Sequence, residues 1–215
     1  MGLPVLVLGE SGSGKSASLR NFEPDEIGVF SVANKPLPFR KKLPTMKNAV
    51  YGNIIQNWND AKARGSLRKV YAIDDSQYLL VFDNFNKAKE MGYQKFTDMA
   101  LSFYSLLQYI IHGLPDDVIV YLLHHTETTE TGKVKAKTIG KMIDNQLTLE
   151  GLFSIVLFCT TDGTRHYFQT QSDGFTTAKS PMGMFEREID NDLKFVDTTI
   201  REYYGFNTNT DKETE

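Results

Sequence analysis

The chain carries one cysteine, Cys159, in 215 residues, so no internal disulfide can form and stability must come from packing. That cysteine lies in an apolar run, where the role of a small buried hydrophobe accounts for it. No apolar stretch approaches the roughly 20 residues needed to cross a bilayer. The first residues lack the basic start and long apolar centre of a secretory signal. A cytoplasmic chain without membrane contact is therefore expected. Excess charge is scarce too: 24 Lys and Arg against 27 Asp and Glu leave a net charge of −3, which argues against a surface coated overall by nucleic acid. The composition, 40% hydrophobic and 24% charged, is that of an ordinary globular domain. The length suits one domain over residues 1–206, with a polar and disordered tail expected at 207–215.

Against these absences stands one dense signal. Gly9, Glu10, Ser11, Gly12, Ser13, Gly14, Lys15 and Ser16 fit the pattern G-x-x-x-x-G-K-[ST] of a phosphate-binding loop. Residues 3–8 before it form a short apolar run suited to a buried parallel strand, and residues 17–20, beginning with Ala17, can open a helix. The glycines allow successive backbone N–H groups to turn inward around a phosphate. Lys15 would then reach the β- and γ-phosphates, Ser16 would sit on Mg²⁺, and the helix start would add a favourable dipole.

A second strand is expected at residues 27–32, followed by an extended connection at 35–47 holding Pro36, Pro38 and Pro44. A helix at 54–64 carries the single tryptophan, Trp58. Residues 69–75 then read as a strand running into Asp74 and Asp75, which is the form of a Walker B segment. Asp74 is the candidate metal carboxylate, and Asp75 either polarises a water or stands solvated. Two helices are expected at 77–91 and 93–112, the second with a core stripe of Phe96, Met99, Ala100, Phe103, Leu107 and Ile110. A third buried strand, 118–123, ends in His124 and His125. Ligands bind at the carboxyl ends of such strands, so a polar residue there is placed to sense the γ-phosphate or the attacking water. No acid or cysteine at ligand spacing stands beside these histidines, so zinc is not expected. After a polar loop at 126–141 come a short helix at 142–149, a strand at 152–160, a turn at Asp162-Gly163 and a returning strand at 165–170.

The mean charge hides two acid-free segments. Residues 27–59 contain Lys35, Arg40, Lys41, Lys42 and Lys47, and residues 131–143 contain Lys133, Lys135, Lys137 and Lys141. Such segments are either solvated faces or the phosphate contacts of a single-stranded nucleic acid.

With these parts assembled, the chain resembles the phage-encoded, RecA-like P-loop ATPases, the core-only recombinases of the Sak type. The likeness rests on residues 9–16, 71–76 and 118–125, and on the late stretch 177–183. It implies an α/β RecA-like P-loop NTPase core, with a mostly parallel central sheet flanked by helices and antiparallel C-terminal strands. It also implies ATP and Mg²⁺ as cofactors, single-stranded DNA and a single-strand-binding protein as partners, and head-to-tail homo-oligomers. By position, Lys15 and Ser16 hold phosphate and metal, Asp74 is the Walker B carboxylate, and His124 or His125 is the sensor. Lys179 matches a lysine inserted into a neighbour's site, and the 131–141 loop matches a DNA-contacting loop. The catalytic glutamate of RecA-like ATPases has no counterpart in Val32-Ala33-Asn34-Lys35, which leaves Asp75 as base or implies slow turnover. Other classes fit less well. A small-molecule kinase would need an arginine-rich lid, and an AAA+ loader a helical C-terminal lid where residues after 152 read as strands. A nucleotide-bound interaction module without turnover stays open. No Asn-Lys-x-Asp guanine-reading motif is present.

Overall fold

The computed structural model describes residues 1–92, 94–139 and 148–206. Its frame is a nine-stranded sheet. The strands are β1 (Leu3–Gly9), β2 (Ile27–Ser31), β3 (Thr45–Lys47), β4 (Val70–Asp74), β5 (Ile119–Thr128), β6 (Val134–Ala136), β7 (Ile155–Thr161), β8 (His166–Gln169) and β9 (Glu188–Asp190). Their order is β3-β2-β4-β5-β1-β7-β8-β9, with β6 paired to the far end of β5. The strands β3, β2, β4, β5, β1 and β7 run parallel, whereas β8 and β9 add on antiparallel.

Side-chain alternation along the central strands explains the layering. Leu6, Leu8, Ile73, Val120 and Leu122 face one way, against α1 (Tyr51–Ala63), α2 (Gln77–Asn86) and α3 (Gln94–Gln108). Val5, Val7, Ala72, Ile119 and Tyr121 face the other way, against Leu19, Phe22 and α4 (Leu193–Tyr204). Both faces are covered, which is why the strands read as unbroken apolar runs. Among the described residues no helix is long and apolar enough to cross a membrane.

Three elements differ from expectation. The helix opened by Ala17 is only a 3₁₀ turn, Ser16–Leu19. Pro24 disfavours helical backbone at the residue before it, and Phe22 drops into the core instead. Within the polar loop expected at 126–141, residues 126–136 form a β-hairpin: β5 runs on past the sheet, and Thr126, Glu127 and Thr128 pair antiparallel with Ala136, Lys135 and Val134. The expected short helix at 142–149 lies mostly outside the described residues, as does the tail at 207–215.

The third difference is α4, a helix in a stretch for which no element was expected. It has clear local causes. Asp192 caps its start by accepting from the N–H of Lys194 at 2.9 Å, and Gly205 ends it in left-handed backbone at φ 66°. Leu193, Val196 and Ile200 lie on its buried face, each contributing about 2 kcal/mol by burial. Arg201 pairs with Asp197 at 2.7 Å and donates to the carbonyls of Asp117 and Lys69, fixing the helix to the starts of two central strands.

Candidate functional site

Strand β1 delivers the loop at its carboxyl end, with no room to vary. A Cβ on Gly9 would lie 2.4 Å from Ser13 Oγ and 2.6 Å from the Cys159 carbonyl, so the loop closes only on a glycine. Gly14 adopts φ +102°, and a Cβ there would press on the His166 ring at 3.1 Å. Lys15 is 6% exposed. Its ammonium folds back to donate to the Gly9 carbonyl at 2.7 Å and the Glu10 carbonyl at 2.9 Å. Burial lowers its pKa, against the opposing pull of Cys159, Asp75 and Asp74.

Strand β4 brings the carboxylates. The Ser16 hydroxyl donates to Asp74 Oδ1 at 2.7 Å across 58 positions of sequence. Asp74 is 4% exposed, and burial raises its pKa over the opposing effect of that hydrogen bond. Asp75 turns into left-handed backbone at φ 60° and points elsewhere. Its Oδ1 meets His125 Nε2 at 3.1 Å and its Oδ2 meets Lys35 Nζ at 2.9 Å. Burial pushes its pKa up, but His125 and Lys35 together outweigh that and hold it low.

The loop is braced from behind by the C-terminal strands. The Ser13 carbonyl accepts from His166 Nδ1 at 2.8 Å and from the Cys159 thiol at 3.1 Å. Asn191 Nδ2 donates in turn to Cys159 Sγ at 3.1 Å, and Arg20 donates to the Asn191 carbonyl at 2.6 Å. Burial pushes the thiol up to about 11, so Cys159 is a structural group and no nucleophile. The cleft enclosed by the loop, the carboxylates, Lys35, His125 and His166 has a volume of about 390 Å³.

No family model matches this chain, and no curated protein matches it. The reading of the cleft rests on its own geometry.

The residues present fit a magnesium-bound phosphate chain. Among the described residues the N–H groups of Gly14 and Lys15 have no carbonyl partner, and Ser13 Oγ is buried without one. A buried ammonium stands at the same place, and anions bind where such donors converge. No group of three His, Cys, Asp or Glu side chains is gathered as a metal site among the described residues. The Ser16–Asp74 pair suits Mg²⁺, which keeps several waters and needs few protein ligands.

The residues expected at the site divide into two sets. Residues 9–17, Asp74, Asp75 and His125 converge on the cleft or its rim. His124 does not face it. Pairing continues through both histidines, and their side chains alternate across β5, so His124 is fully buried against Phe103. Its Nε2 donates to the Lys137 carbonyl at 2.8 Å, and its Nδ1 lies 3.0 Å from the Ser76 hydroxyl, which also reaches the Leu123 carbonyl at 3.1 Å. Burial lowers its pKa to about 4. Lys179 is held by a backbone bridge to Val156 and does not line the cleft.

Among the basic candidates, Arg40, Lys42, Lys133 and Lys137 are exposed. Lys41 is paired to Glu23 at 2.7 Å and Lys135 to Glu127 at 3.0 Å. Lys141 lies outside the described residues. Sequence reasoning counted Lys35 only as charge and did not find His166, Cys159 or Asn191 as parts of the site. Their roles depend on pairings more than a hundred residues long, except that of Lys35, which depends on where the 35–38 segment turns.

Proposed function

We propose that this protein is a RecA-like P-loop ATPase core that binds ATP with Mg²⁺ at residues 9–16 and acts on single-stranded DNA in phage recombination. One observation carries the nucleotide reading. The Ser16 hydroxyl lies on Asp74 at 2.7 Å, beside a buried Lys15 whose ammonium, among the described residues, has only backbone carbonyls of its own loop as hydrogen-bond partners. A bound Mg²⁺ would draw charge from the phosphates and orient waters for attack. In this reading Lys15 binds the phosphates, and Ser16 and Asp74 orient the metal and its waters.

For DNA, the support is the placement of Lys133 by the turn of the β5–β6 hairpin and the exposure of Arg40, Lys42 and Lys137. Lysine contacts of this kind give salt-dependent, sequence-tolerant binding. In a head-to-tail assembly Lys179 would act in a neighbour's site, and a single-strand-binding protein is a further partner of this reading. A second reading, a nucleotide-bound module with little turnover, draws on Asp75. Both of its oxygens are engaged, and Lys35 stands after β2 where RecA-like enzymes carry a glutamate.

The deciding experiment measures ATP binding and hydrolysis, with and without single-stranded DNA, for wild type and Lys15→Ala. DNA-stimulated hydrolysis lost in Lys15→Ala is the expected result. ATP binding without turnover would select the second reading, and absence of ATP binding by wild type would end both.

A further inference from the structure

Lys35 is presented to the cleft by a segment with fixed backbone on either side. Before it, Asn34 adopts φ 58° and is stapled to Asn48, whose backbone N–H donates to Asn34 Oδ1 at 2.6 Å. After it, Pro36 confines Lys35 to extended backbone. The lysine side chain itself is 57% exposed on its face of the cleft. Its ammonium spans to Asp75 Oδ2 at 2.9 Å and lies 5.3 Å from the centre of the Tyr78 ring. The anchor of the side chain is thus rigid, and its four-carbon stem is free to redirect the charge.

Two cations therefore line the same cleft, Lys15 from the loop and Lys35 from the segment after β2. Lys15 is built into the loop. Lys35 rests on a carboxylate that is already bonded by His125, so it can leave without stranding that carboxylate. A diphosphate on the loop would be served by Lys15 and the loop N–H groups. A third phosphate that reached the Asp75 side of the cleft would meet the ammonium that rests there.

We infer that Lys35 is a specificity-determining residue that moves from Asp75 to the terminal phosphate of a nucleoside triphosphate, so that the site distinguishes triphosphate from diphosphate. This rests on the nucleotide reading above. The exchange replaces one charge-assisted contact with another, and it bares Asp75 Oδ2 only when a triphosphate is bound. Asp75 would then be masked in the empty and diphosphate states by the same side chain that reads the third phosphate.

Titration calorimetry with a non-hydrolysable ATP analogue and with ADP, each with Mg²⁺, tests this in wild type, Lys35→Met and Lys35→Arg. The expected result is a loss of about tenfold in analogue affinity for Lys35→Met, with ADP affinity unchanged. Lys35→Arg, which keeps the charge, should retain most of the preference. Equal weakening of both nucleotides, or of neither, would overturn the role of Lys35 while leaving nucleotide binding intact. Wild type that binds neither nucleotide, with the Lys15→Ala control equally silent, would remove the nucleotide reading and this inference together. Coincident thermal melts of the three proteins verify that the substitutions at this exposed side chain leave the fold intact.

Discussion

Acidification from about pH 7.5 to about pH 5 is expected to remove about 2 kcal/mol of folding stability through one side chain, His124. The imidazole is 0% exposed and held neutral between the Ser76 hydroxyl and the Lys137 carbonyl. Burial lowers its pKa from 6.5 to about 4. Because the folded value is depressed, the unfolded chain takes up its proton first. The stability gained by the neutral ring is therefore complete above about pH 6.5, declines as pH falls, and is exhausted below about pH 4. At 1.36 kcal/mol per pH unit the full loss is about 3 kcal/mol, of which about two-thirds has occurred by about pH 5. That is a large fraction of the 5–15 kcal/mol typical of a domain. Urea unfolding at the two pH values, for wild type and His124→Gln, is the assay. The variant starts less stable through its altered hydrogen bonds, but its loss between the two pH values should be smaller by about 2 kcal/mol. Contributions from Asp74 and Asp75 appear in both proteins and cancel. Parallel losses in the two proteins would refute the buried neutral imidazole.

Two further outcomes follow from packing. Arg201→Ala leaves Asp197 charged and buried without its partner, so it should cost about 3 kcal/mol in unfolding free energy while leaving nucleotide affinity near wild type. Cys159, 1% exposed with its thiol pushed up to about 11, should react with a maleimide only on the timescale of unfolding. Rapid labelling of the native protein would show that the brace behind the loop opens readily.

Much of the frame was legible because it is local. The apolar runs at β1, β4 and β5 are self-evident strands, and the spacing of Gly9, Gly14, Lys15 and Ser16 defines a loop without reference to the rest of the chain. Asp74 was legible from the strand that carries it. Helix α4 was also within reach: Asp192 as cap, Leu193, Val196 and Ile200 at helical spacing, and Gly205 as stop are all readable signals. The single turn after the loop was not, because phosphate-loop context favours a helix and Pro24 acts from outside it. The split between His124 and His125 depends on β5 continuing into a hairpin, and the polar residues of 126–136 conceal that continuation. Nothing in the neighbourhood of His166 or Asn191 hints that their side chains brace residue 13 and the residue behind it.

The position of β1 in the sheet sets the order in which the cleft can come into being. Its two neighbours, β5 and β7, begin at Ile119 and Ile155, and the brace behind the loop reaches to Asn191. A growing chain that carries residues 9–16 offers β1 no lateral partner in the sheet until it has extended past residue 119. Its support comes later still. Contacts of such separation are slow to form. In the nucleotide reading proposed above, ATP finds no assembled cleft on a growing chain that lacks the segments up to residue 191. In that reading, nucleotide capture by chains of increasing length should appear abruptly once residue 191 is included rather than gradually.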